Sequence, residues 1–531
     1  MVVHKISRFE THFSAQNAEL IPLVRMLFTV LAVVTGVAGC SSLSPAPRDP
    51  AVLVRVAEDE AKGLDPQLIS DLASLRIAAD QFEGLTRFNA DGRAEAGLAS
   101  GWRVSADGLN WTFTLRPGVQ FSDRTPITAA TFASVFARLE APATASPVRE
   151  LFEAIASIKA VTPTDLIITL RHPFPLLDEL MAHPAVAALP LHRKNWASER
   201  PVVSSGAYQL TKWALSDHIR LSANPRWHGG APAIRVVEWR PVTDTLAALR
   251  LYQAGAADIL GEVPSARLPQ IKAKYPTQLH IAPYRGSYYF AFNTRKPPFD
   301  DPRVRKALSL AVEREWVARK LIATGISPAW GVVPPGTTGL ADYRPRWSAW
   351  PREKRLSVAR QLLSEAGYGP NRPLSFDIRF NSDIDHRRIS VALAAFWKPL
   401  GVEARLLNSE ASLHFASLRR ADFALARSGW IGDLSVPENF LAVHKGNGGA
   451  INYSGFNDKG YDAELNRALT IADPRARADA MRAAEVLLID QSPILPIYYY
   501  VSKSLVASRV GGWRDNAANM HPSRTLRITN Q

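Results

Sequence analysis

The sequence predicts an α/β protein made of several structural units. Between Leu374 and Leu407 an apolar strand pattern is followed by a helical pattern and then by a second strand pattern. Strands that alternate with helices in this way pair in parallel in a sheet. The chain has 531 residues, of which 47% are hydrophobic and 9% aromatic, which suffices for two or three domains with large cores. It contains no internal repeat.

The other elements follow from period-two patterns for strands and three- or four-residue spacings for helices. The predicted strands are Ala51–Ala57, Trp111–Leu115, Leu166–Leu170, Val236–Trp239, Tyr288–Phe292, Leu374–Phe380, Val402–Leu407 and Ile494–Leu505. The predicted helices are Leu72–Leu85, Thr128–Leu139 with Thr128 as N-cap, Asp301–Leu321 with an Asp-Pro cap, Val358–Ala366, Ile389–Leu400, Tyr461–Ile471 and Pro474–Asp490. Gly367 and Gly401 are placed to end two of the helices.

The N-terminal region has the pattern of a bacterial lipoprotein signal. The apolar run Leu27–Val37 ends in Val37-Ala38-Gly39-Cys40, and it is too short to cross a bilayer, which takes about 20 residues. We therefore expect residues 1–39 to be a signal peptide, Cys40 to be lipidated, and 40–50 to be a flexible Ser/Pro tether. The alternative is a short buried helix with an incidental thiol. Met26 is an alternative start.

The charge and the motifs of the chain exclude several classes of function. The net charge is +14, but the basic residues form no run or aromatic-interleaved stripe, so nucleic acid is not an expected partner. Cys40 is the only cysteine, so the mature chain can form no internal disulfide. The sequence has no nucleophile elbow, zinc-protease motif or Walker loop. We expect neither an enzyme nor a cofactor, and we expect Asp383, Asp385 and His386 to be solvated or capping rather than metal ligands.

Several motifs, in order over some 450 residues, resemble the periplasmic oligopeptide- and dipeptide-binding proteins of ABC importers (family 5 extracellular solute-binding proteins), particularly the oligopeptide branch. The motifs are Phe82-Glu83-Gly84-Leu85, Asp107-Gly108, Trp111-Thr112-Phe113, Phe121-Ser122-Asp123, Gly206-Ala207-Tyr208, Asn224-Pro225, Phe292-Asn293, Arg303-Val304-Arg305, Gly429-Trp430-Ile431-Gly432-Asp433, Pro496-Ile497-Tyr498-Tyr499-Tyr500 and Val510-Gly511-Gly512-Trp513.

The chain departs from the family pattern at two places. Arg124 stands where the family usually has glycine, which suggests a different turn, because glycine in such a turn often supplies a positive φ. The segment Leu434-Ser435-Val436-Pro437 lacks the aromatic and acidic residues that are common there. Because of this second departure, the peptide length that the family prefers cannot be carried over to this chain.

The resemblance implies a two-lobed periplasmic binding protein fold, hinged, with an extra domain that extends lobe one. On this chain lobe one would comprise 51–82, 204–290 and 497–531, the extra domain 83–203, and lobe two 291–496. Two segments that cross between the lobes permit hinge closure around a ligand.

The resemblance also implies a site. Members of the family take a peptide as an added strand, and the pairing edges here would be Ser70-Asp71-Leu72, with the following helix starting after Ala73, and Gly429-Trp430-Ile431. Asp433 matches the aspartate that holds the peptide's α-ammonium. Arg427 resembles an arginine that takes the carboxylate of a short peptide. Trp430, Tyr498 and Tyr500 are expected to line or support the pocket, with core packing as the alternative for the tyrosines.

The resulting expectation is a monomeric, lipid-anchored receptor in the periplasm that delivers short peptides to an ABC permease. An alternative is the same fold with a murein peptide, glutathione, a metal chelate, haem or an anionic opine as ligand. A cytoplasmic regulator would need an N-terminal DNA-binding domain, for which residues 1–50 are too short. An exported enzyme is disfavoured by the missing catalytic motifs.

Overall fold

The computed structural model describes residues 49–529 except 338, 339, 447 and 472. The predicted signal peptide, Cys40 and most of the tether lie outside the described residues. Residues from Ala51 onward form one compact unit. None of the helices in the described part combines the length and apolar character that a membrane span needs.

The chain is a mixed α/β protein, as predicted. The strands are β1 (Val52–Ala57), β2 (Thr86–Phe88), β3 (Ala94–Ala96), β4 (Ala99–Val104), β5 (Asn110–Leu115), β6 (Ile155–Ala160), β7 (Asp165–Leu170), β8 (Tyr208–Ala214), β9 (His218–Ala223), β10 (Val236–Pro241), β11 (Ile259–Leu260), β12 (Leu279–Phe292), β13 (Ser327–Pro328), β14 (Ser375–Asn381), β15 (Glu403–Ser409), β16 (Leu425–Ile431), β17 (Ile494–Val506), β18 (Val510–Gly511) and β19 (Arg527–Ile528). The helices are α1 (Leu72–Gln81), α2 (Ala129–Glu140), α3 (Leu177–Leu180), α4 (Thr245–Gln253), α5 (Leu268–Lys274), α6 (Pro302–Ala311), α7 (Arg314–Trp316), α8 (Arg352–Glu365), α9 (Ile384–Trp397), α10 (Ala411–Arg419), α11 (Glu438–Leu441), α12 (Lys459–Thr470) and α13 (Pro474–Gln491).

Shorter helical segments occur between these elements. A π-helix covers Val317–Ile322, and 3₁₀ turns cover Pro142–Thr144, Arg149–Phe152, Pro184–Val186, Trp196–Ser198, Ser265–Arg267, Arg346–Ala349, Lys398–Leu400, Ala442–His444, Gly449–Ile451 and Ser523–Thr525.

One sheet of eleven strands forms the centre of the described chain, in the order β15-β14-β16-β12-β17-β11-β1-β10-β9-β8, with β13 beside β17. β14 pairs in parallel with β15 and with β16, as the strand–helix–strand pattern predicts. At the other end, β1 pairs in parallel with β10 and β11. All six residues of β1 are buried, because helix α1 covers one face of this strand while α4 and α5 cover the other.

The two longest strands, β12 and β17, join the two ends of the sheet. They run antiparallel, and β17 pairs with β11 on one side of the junction while β12 pairs with β16 on the other. Their mutual pairing is interrupted between Pro283 and Ser287. Among the described strands, these two alone connect the two ends of the sheet at this point, and their pairing is irregular there.

A separate four-stranded sheet, β4-β5-β7-β6, packs with α2 and α3 around its own apolar core. These elements lie within residues 83–203, where the extra domain is predicted. Two residues from far along the chain, Leu434 and Val436, are buried in the same core. The exact boundaries of the three domains stay a prediction.

The prediction of one helix from Asp301 to Leu321 is wrong. Asp301 does cap α6, since its carboxylate accepts from the Arg303 N–H at 2.8 Å, but the helix ends at Ala311 and Val312 is extended. The guanidinium of buried Arg314 folds back and donates to the Ser309 carbonyl at 3.0 Å and to the Pro496 carbonyl at 2.8 Å. These bonds fix Arg314 against β17 and satisfy carbonyls around the break.

The expected start of the first helix after Ala73 is also wrong, and so is its expected end at Leu85. Helix α1 begins at Leu72, because the Asp71 side chain accepts from the Ser74 N–H at 2.9 Å and caps it. The Asp71 carbonyl accepts the Leu75 N–H. Leu72 therefore belongs to a helix and does not offer a strand edge.

Arg124 does not change the turn as expected. Its φ is +75°, the left-handed conformation that glycine adopts without a Cβ penalty. The turn is held by the Phe121 N–H, which donates to the Thr125 carbonyl at 2.8 Å, and by the Arg124 N–H, which donates to the Phe121 carbonyl at 2.9 Å. The arginine therefore carries backbone strain at this position.

The variant Arg124→Gly is expected to be more stable than the natural protein. Relief of the strain, partly offset by the greater freedom of glycine in the unfolded chain, should contribute about 0.5–1 kcal/mol. That corresponds to a rise of about 1–2 °C in the Tm measured by calorimetry. Arg124→Ala retains the Cβ and is the control. An equal rise in both variants would assign the effect to the arginine side chain instead.

Candidate ligand-binding site

The strand β16 has an edge that is only partly paired. On the side away from β12, β14 pairs with Leu425 and Ala426. The next backbone carbonyl of β16 that points away from β12 is that of Arg427, and its oxygen is 2.9 Å from the His414 Nε2 atom. Within the described residues no strand pairs with 428–431 on this side. Ser428 is buried, whereas Ile431 is exposed.

The hydrogen bonds to β12 show which backbone groups this edge presents. The Gly432 N–H donates to the Arg285 carbonyl at 2.8 Å. Because antiparallel strands alternate between hydrogen-bonded and non-hydrogen-bonded pairs, the N–H and C=O groups of Gly429 and Ile431 point away from β12. This short edge can therefore accept an additional strand.

Two glycines make room for a tyrosine beside this edge. A Cβ on Gly429 would lie 2.9 Å from the Tyr500 hydroxyl oxygen, and a Cβ on Gly286 would lie 2.7 Å from the Tyr500 ring. Tyr500 in turn accepts a hydrogen bond of 2.9 Å from the Arg427 Nη2 atom. The small residues of β12 and β16 thus bring the Tyr500 ring against the sheet and hold the arginine.

Arg427 is surrounded by aromatic rings and has no carboxylate partner among the described residues. Its guanidinium lies 5.0 Å from the centre of the Tyr288 ring, which stacks on Tyr498 at 4.5 Å. The Arg427 Nε atom is buried without a hydrogen-bond partner, and the contact with Asn381 is long at 3.5 Å. A desolvated cation in this state favours an anionic group.

Asp383 is an acid beside this cluster, 3.4 Å from the His386 Nδ1 atom, but no acid of the described residues forms an ion pair with Arg427. The hydroxyl of Tyr288 is 3.3 Å from the His386 Nδ1 atom, and burial, with a contribution from Arg427, lowers the pKa of His386 to about 3. His386 is therefore neutral at pH 7. Asp383 caps α9 by accepting the N–H groups of Asp385 and His386, as expected for this turn. Among the described residues no group of three or more side chains is placed to hold a metal.

Asp433 follows the free edge and has no ion-pair partner among the described residues. Its side chain is open to solvent, yet burial by the surrounding protein raises the pKa of its carboxyl, an effect that the charge of Arg285 partly offsets. Arg285 itself is paired with Glu179. An accessible but crowded carboxylate in this position can bind a cation such as an ammonium group.

Glu179 also joins the extra domain to the segment after Asp433. The Ser435 hydroxyl donates to Glu179 Oε2 at 3.0 Å, and Glu179 Oε1 accepts from Arg285. On either side of Ser435, Leu434 and Val436 are buried in the core of the extra domain. The residues that depart from the family pattern are thus the ones that contact this domain.

The remaining predicted residues take different positions. Trp430 is half-buried, and its indole N–H has no hydrogen-bond partner among the described residues. Ile431 is 39% exposed. The structure brings Arg427, Gly429 and the tyrosines together, but no hydrogen bond or ion pair of the described residues joins Asp71 or Leu72 to them. Tyr288, Gly286 and Glu179 were not among the residues expected at the site.

The comparison with protein-family models gives a match over residues 93–452 to the bacterial extracellular solute-binding proteins, family 5. The match covers more than half of the chain. The chain belongs to this family. The family binds solutes and is not a class of enzymes.

Two relatives extend the match over most of the chain. The periplasmic oligopeptide-binding protein OppA of Escherichia coli (strain K12) is 32% identical over 486 residues, or 87% of this chain and 89% of that protein. The structure of the Escherichia coli murein tripeptide binding protein MppA is 32% identical and has a TM-score of 0.81, with 90% of this chain and 99% of that chain covered. This family 5 protein therefore has the two-lobed periplasmic binding protein fold that the sequence predicts.

A second structure of MppA, described as the unliganded open form, has a TM-score of 0.75 at 32% identity, over 91% of this chain and 98% of that chain. The chain is thus more similar to the first MppA structure than to the open form.

Proposed function

We propose that this family 5 protein is a lipid-anchored substrate-binding protein of an ABC importer, which binds short peptides between its lobes and delivers them to the permease. The observation that carries the proposal is the strand edge Gly429–Ile431, which no strand of the described residues pairs, followed after Gly432 by Asp433, whose carboxylate has no ion-pair partner among those residues. The names of the relatives OppA and MppA, which bind oligopeptides and a murein tripeptide, support it.

The free edge gives affinity without reading the peptide's sequence. An extended peptide would pair its main chain with the outward N–H and C=O groups of Gly429 and Ile431. Its α-ammonium would then be held by Asp433, which fixes the register of the peptide along the edge. Trp430, on the same strand, would contact the peptide or support the pocket.

The other end of a short peptide carries a carboxylate, for which Arg427 is the proposed partner. The guanidinium has donors left over after its bond to Tyr500, and no acid of the described chain occupies them. Tyr500 holds Arg427 directly through its hydroxyl, and Tyr498 supports it by stacking on Tyr288, whose ring faces the guanidinium. In this arrangement a peptide with both termini free is bound by opposite charges at its two ends.

Closure of the lobes would occur where β12 and β17 cross. The pairing of these strands is interrupted between Pro283 and Ser287, so bending there breaks few regular hydrogen bonds. We place this hinge segment at 284–286, a few residues before the predicted boundary at 290. A bound ligand that contacts both lobes shifts the equilibrium towards the closed state.

The proposal predicts that free tripeptides, tetrapeptides or pentapeptides bind and compact the protein. Calorimetry should show saturable binding, and small-angle X-ray scattering should show a smaller radius of gyration with the peptide than without it. The control is the same peptide amidated at its C-terminus and acetylated at its N-terminus, which should bind much more weakly. No binding of any free peptide, together with no compaction, would contradict the proposal.

A second candidate is the same fold with a non-standard ligand such as a murein peptide, glutathione, a metal chelate, haem or an anionic opine. Similarity to MppA favours the first of these, and the unpaired Arg427 suits any ligand with an anionic group. Native mass spectrometry of the protein as purified would distinguish the candidates by the mass of the ligand that it retains.

The anchoring part of the proposal rests on Cys40. Cys40→Ala is expected to move the protein from the membrane fraction to the soluble fraction, because the cysteine thiol is the only site that can accept the lipid. Ser41→Ala is the matched control and should leave the protein in the membrane fraction. Equal fractionation of the natural protein and Cys40→Ala would show that the anchor is elsewhere or absent.

A further inference from the structure

A cavity of about 300 Å³ lies on lobe one, between helices α4 and α5. In α4 the side chains that line it are Leu246, Leu249, Arg250 and Gln253, and in α5 and its start they are Arg267, Gln270, Ile271 and Lys274. Both sets have the spacing i, i+3, i+4 and i+7, so each helix turns one face towards the other. The two faces do not close on each other.

The floor of the cavity is apolar and packed against the core. Leu249 and Ile271 are buried in the core that includes β1, and Tyr275 packs against the same core. Leu246, at the mouth, is 39% exposed. The volume of the cavity falls at the lower end of the range for small-molecule sites, and such sites have a mostly apolar lining.

The mouth of the cavity carries three cations that form no ion pair with a described residue. Arg250, Arg267 and Lys274 are exposed, and no ion pair or side-chain hydrogen bond involves them within the described part of the chain. The Lys274 ammonium lies over the Tyr275 ring, 5.3 Å from the ring centre. Among the described residues, no acidic side chain lines the cavity.

The acidic residues of the neighbouring segments are already engaged. Asp244 caps α4 by accepting the Ala247 N–H at 2.6 Å. Asp258 is paired with Arg509, and Glu262 with Lys503. None of these acids, and no other acid of the described residues, is paired with the three cations at the mouth.

We propose that this cavity binds an amphiphilic monoanion, a single apolar chain that ends in a carboxylate. The apolar floor takes the chain and the basic mouth takes the carboxylate. At roughly 30 Å³ for each water-sized group, the volume corresponds to about ten non-hydrogen atoms. A medium-chain fatty acid matches this size and charge. The site is separate from the strand edge and from Asp433, and it does not depend on the proposed function.

The test uses decanoate as the probe and the full chain. Calorimetry should show that decanoate binds, that decanol, which lacks the charge, binds about ten-fold more weakly, and that butyrate, which lacks the chain, does not bind measurably. The double variant Arg250→Gln with Lys274→Gln should weaken decanoate about ten-fold, since each exposed ion pair contributes a factor of about 2–5.

A substitution at the mouth gives the decisive comparison. Leu246→Glu places a negative charge at the entrance and should abolish decanoate binding. Leu215→Glu, at a leucine that is 75% exposed and distant from the cavity in sequence, is the matched control and should bind decanoate like the natural protein. Thermal unfolding checks that both variants are folded.

Three results would overturn the proposal. One is equal affinity for decanol and decanoate, which would show that the cations take no part. Another is undiminished decanoate binding by folded Leu246→Glu. The third is binding only to vesicles that contain anionic phospholipid, with no affinity for free decanoate, which would make this face a membrane contact.

Discussion

Replacement of Asp433 by asparagine is expected to weaken every free peptide by a similar factor, about 30-fold to several thousand-fold. Loss of one member of a desolvated charge pair typically costs about 2–5 kcal/mol. The factor should not depend on the peptide's side chains, because the α-ammonium is common to all of them. Calorimetry on a series of tripeptides measures it. Asp479, an exposed aspartate of α13, gives the matched control Asp479→Asn, which should bind like the natural protein.

Acetylation of the peptide's N-terminus separates a direct contact from a structural role. If Asp433 holds the ammonium, acetylation should weaken binding strongly in the natural protein and much less in Asp433→Asn, because both changes remove the same interaction. The four combinations of protein and peptide give the coupling free energy. Additive losses would assign the ammonium to another residue.

The pH dependence of binding has a definite sign. Burial raises the pKa of the Asp433 carboxyl, so in the free protein it takes up a proton at a higher pH than an ordinary aspartate. Only the ionised form attracts an ammonium group. The affinity for a free peptide should therefore fall as the pH is lowered through this raised pKa, and Asp433→Asn should lose that part of the pH dependence.

Local sequence patterns predict much of the fold. They fail where the end of an element depends on a contact with a residue far away in the sequence. The parallel pairing of β14 and β15 follows from alternating patterns within one stretch of chain. The end of α6 does not, because it depends on Arg314 finding the carbonyl of Pro496. The left-handed Arg124 is invisible to periodicity, since the turn is held by its own backbone bonds.

The same distinction applies to the site. Asp433 and Arg427 are proposed only because the motif around Gly429 resembles that of the family, and their roles stay a prediction. Position 429 favours glycine because a Cβ there would lie 2.9 Å from the Tyr500 hydroxyl oxygen. No local sequence pattern reveals this contact. The pairing of Glu179 with Arg285 spans 106 residues, and a single glutamate in the extra domain gives no signal of it.

The variant Glu179→Ala is expected to weaken all ligands about 10- to 150-fold by destabilising the closed arrangement. Glu179 is nearly buried and accepts hydrogen bonds from Arg285 on the crossing strand β12 and from Ser435 after Asp433. A hydrogen bond to a charged group contributes about 1.5–3 kcal/mol, which corresponds to that range of affinity. In addition, the variant leaves the guanidinium of Arg285 unpaired.

The effect on affinity follows from the predicted boundaries, which place Glu179 in the extra domain (83–203) and Ser435 in lobe two (291–496). The contact between Glu179 and Ser435, and the burial of Leu434 and Val436, exist only while the extra domain touches the segment that carries Ser435. If these contacts are lost, a smaller fraction of the protein is in the closed state. The apparent affinity for the ligand falls in proportion to that fraction. The dissociation rate should rise more than the association rate falls.

Calorimetry with one free tripeptide and small-angle scattering of the unliganded protein test this expectation together. Glu179→Ala should show weaker binding and a larger radius of gyration without ligand. Glu153, an exposed glutamate of the same domain, gives the control Glu153→Ala, which should match the natural protein in both measurements. Most of the loss here should be shared by acetylated and free peptides, because closure affects both. The freed Arg285, whose charge acts on Asp433, should add a smaller loss for free peptides only, whereas the loss in Asp433→Asn is confined to free peptides. Unchanged affinity in a folded Glu179→Ala variant would show that this ion pair does not hold the lobes together.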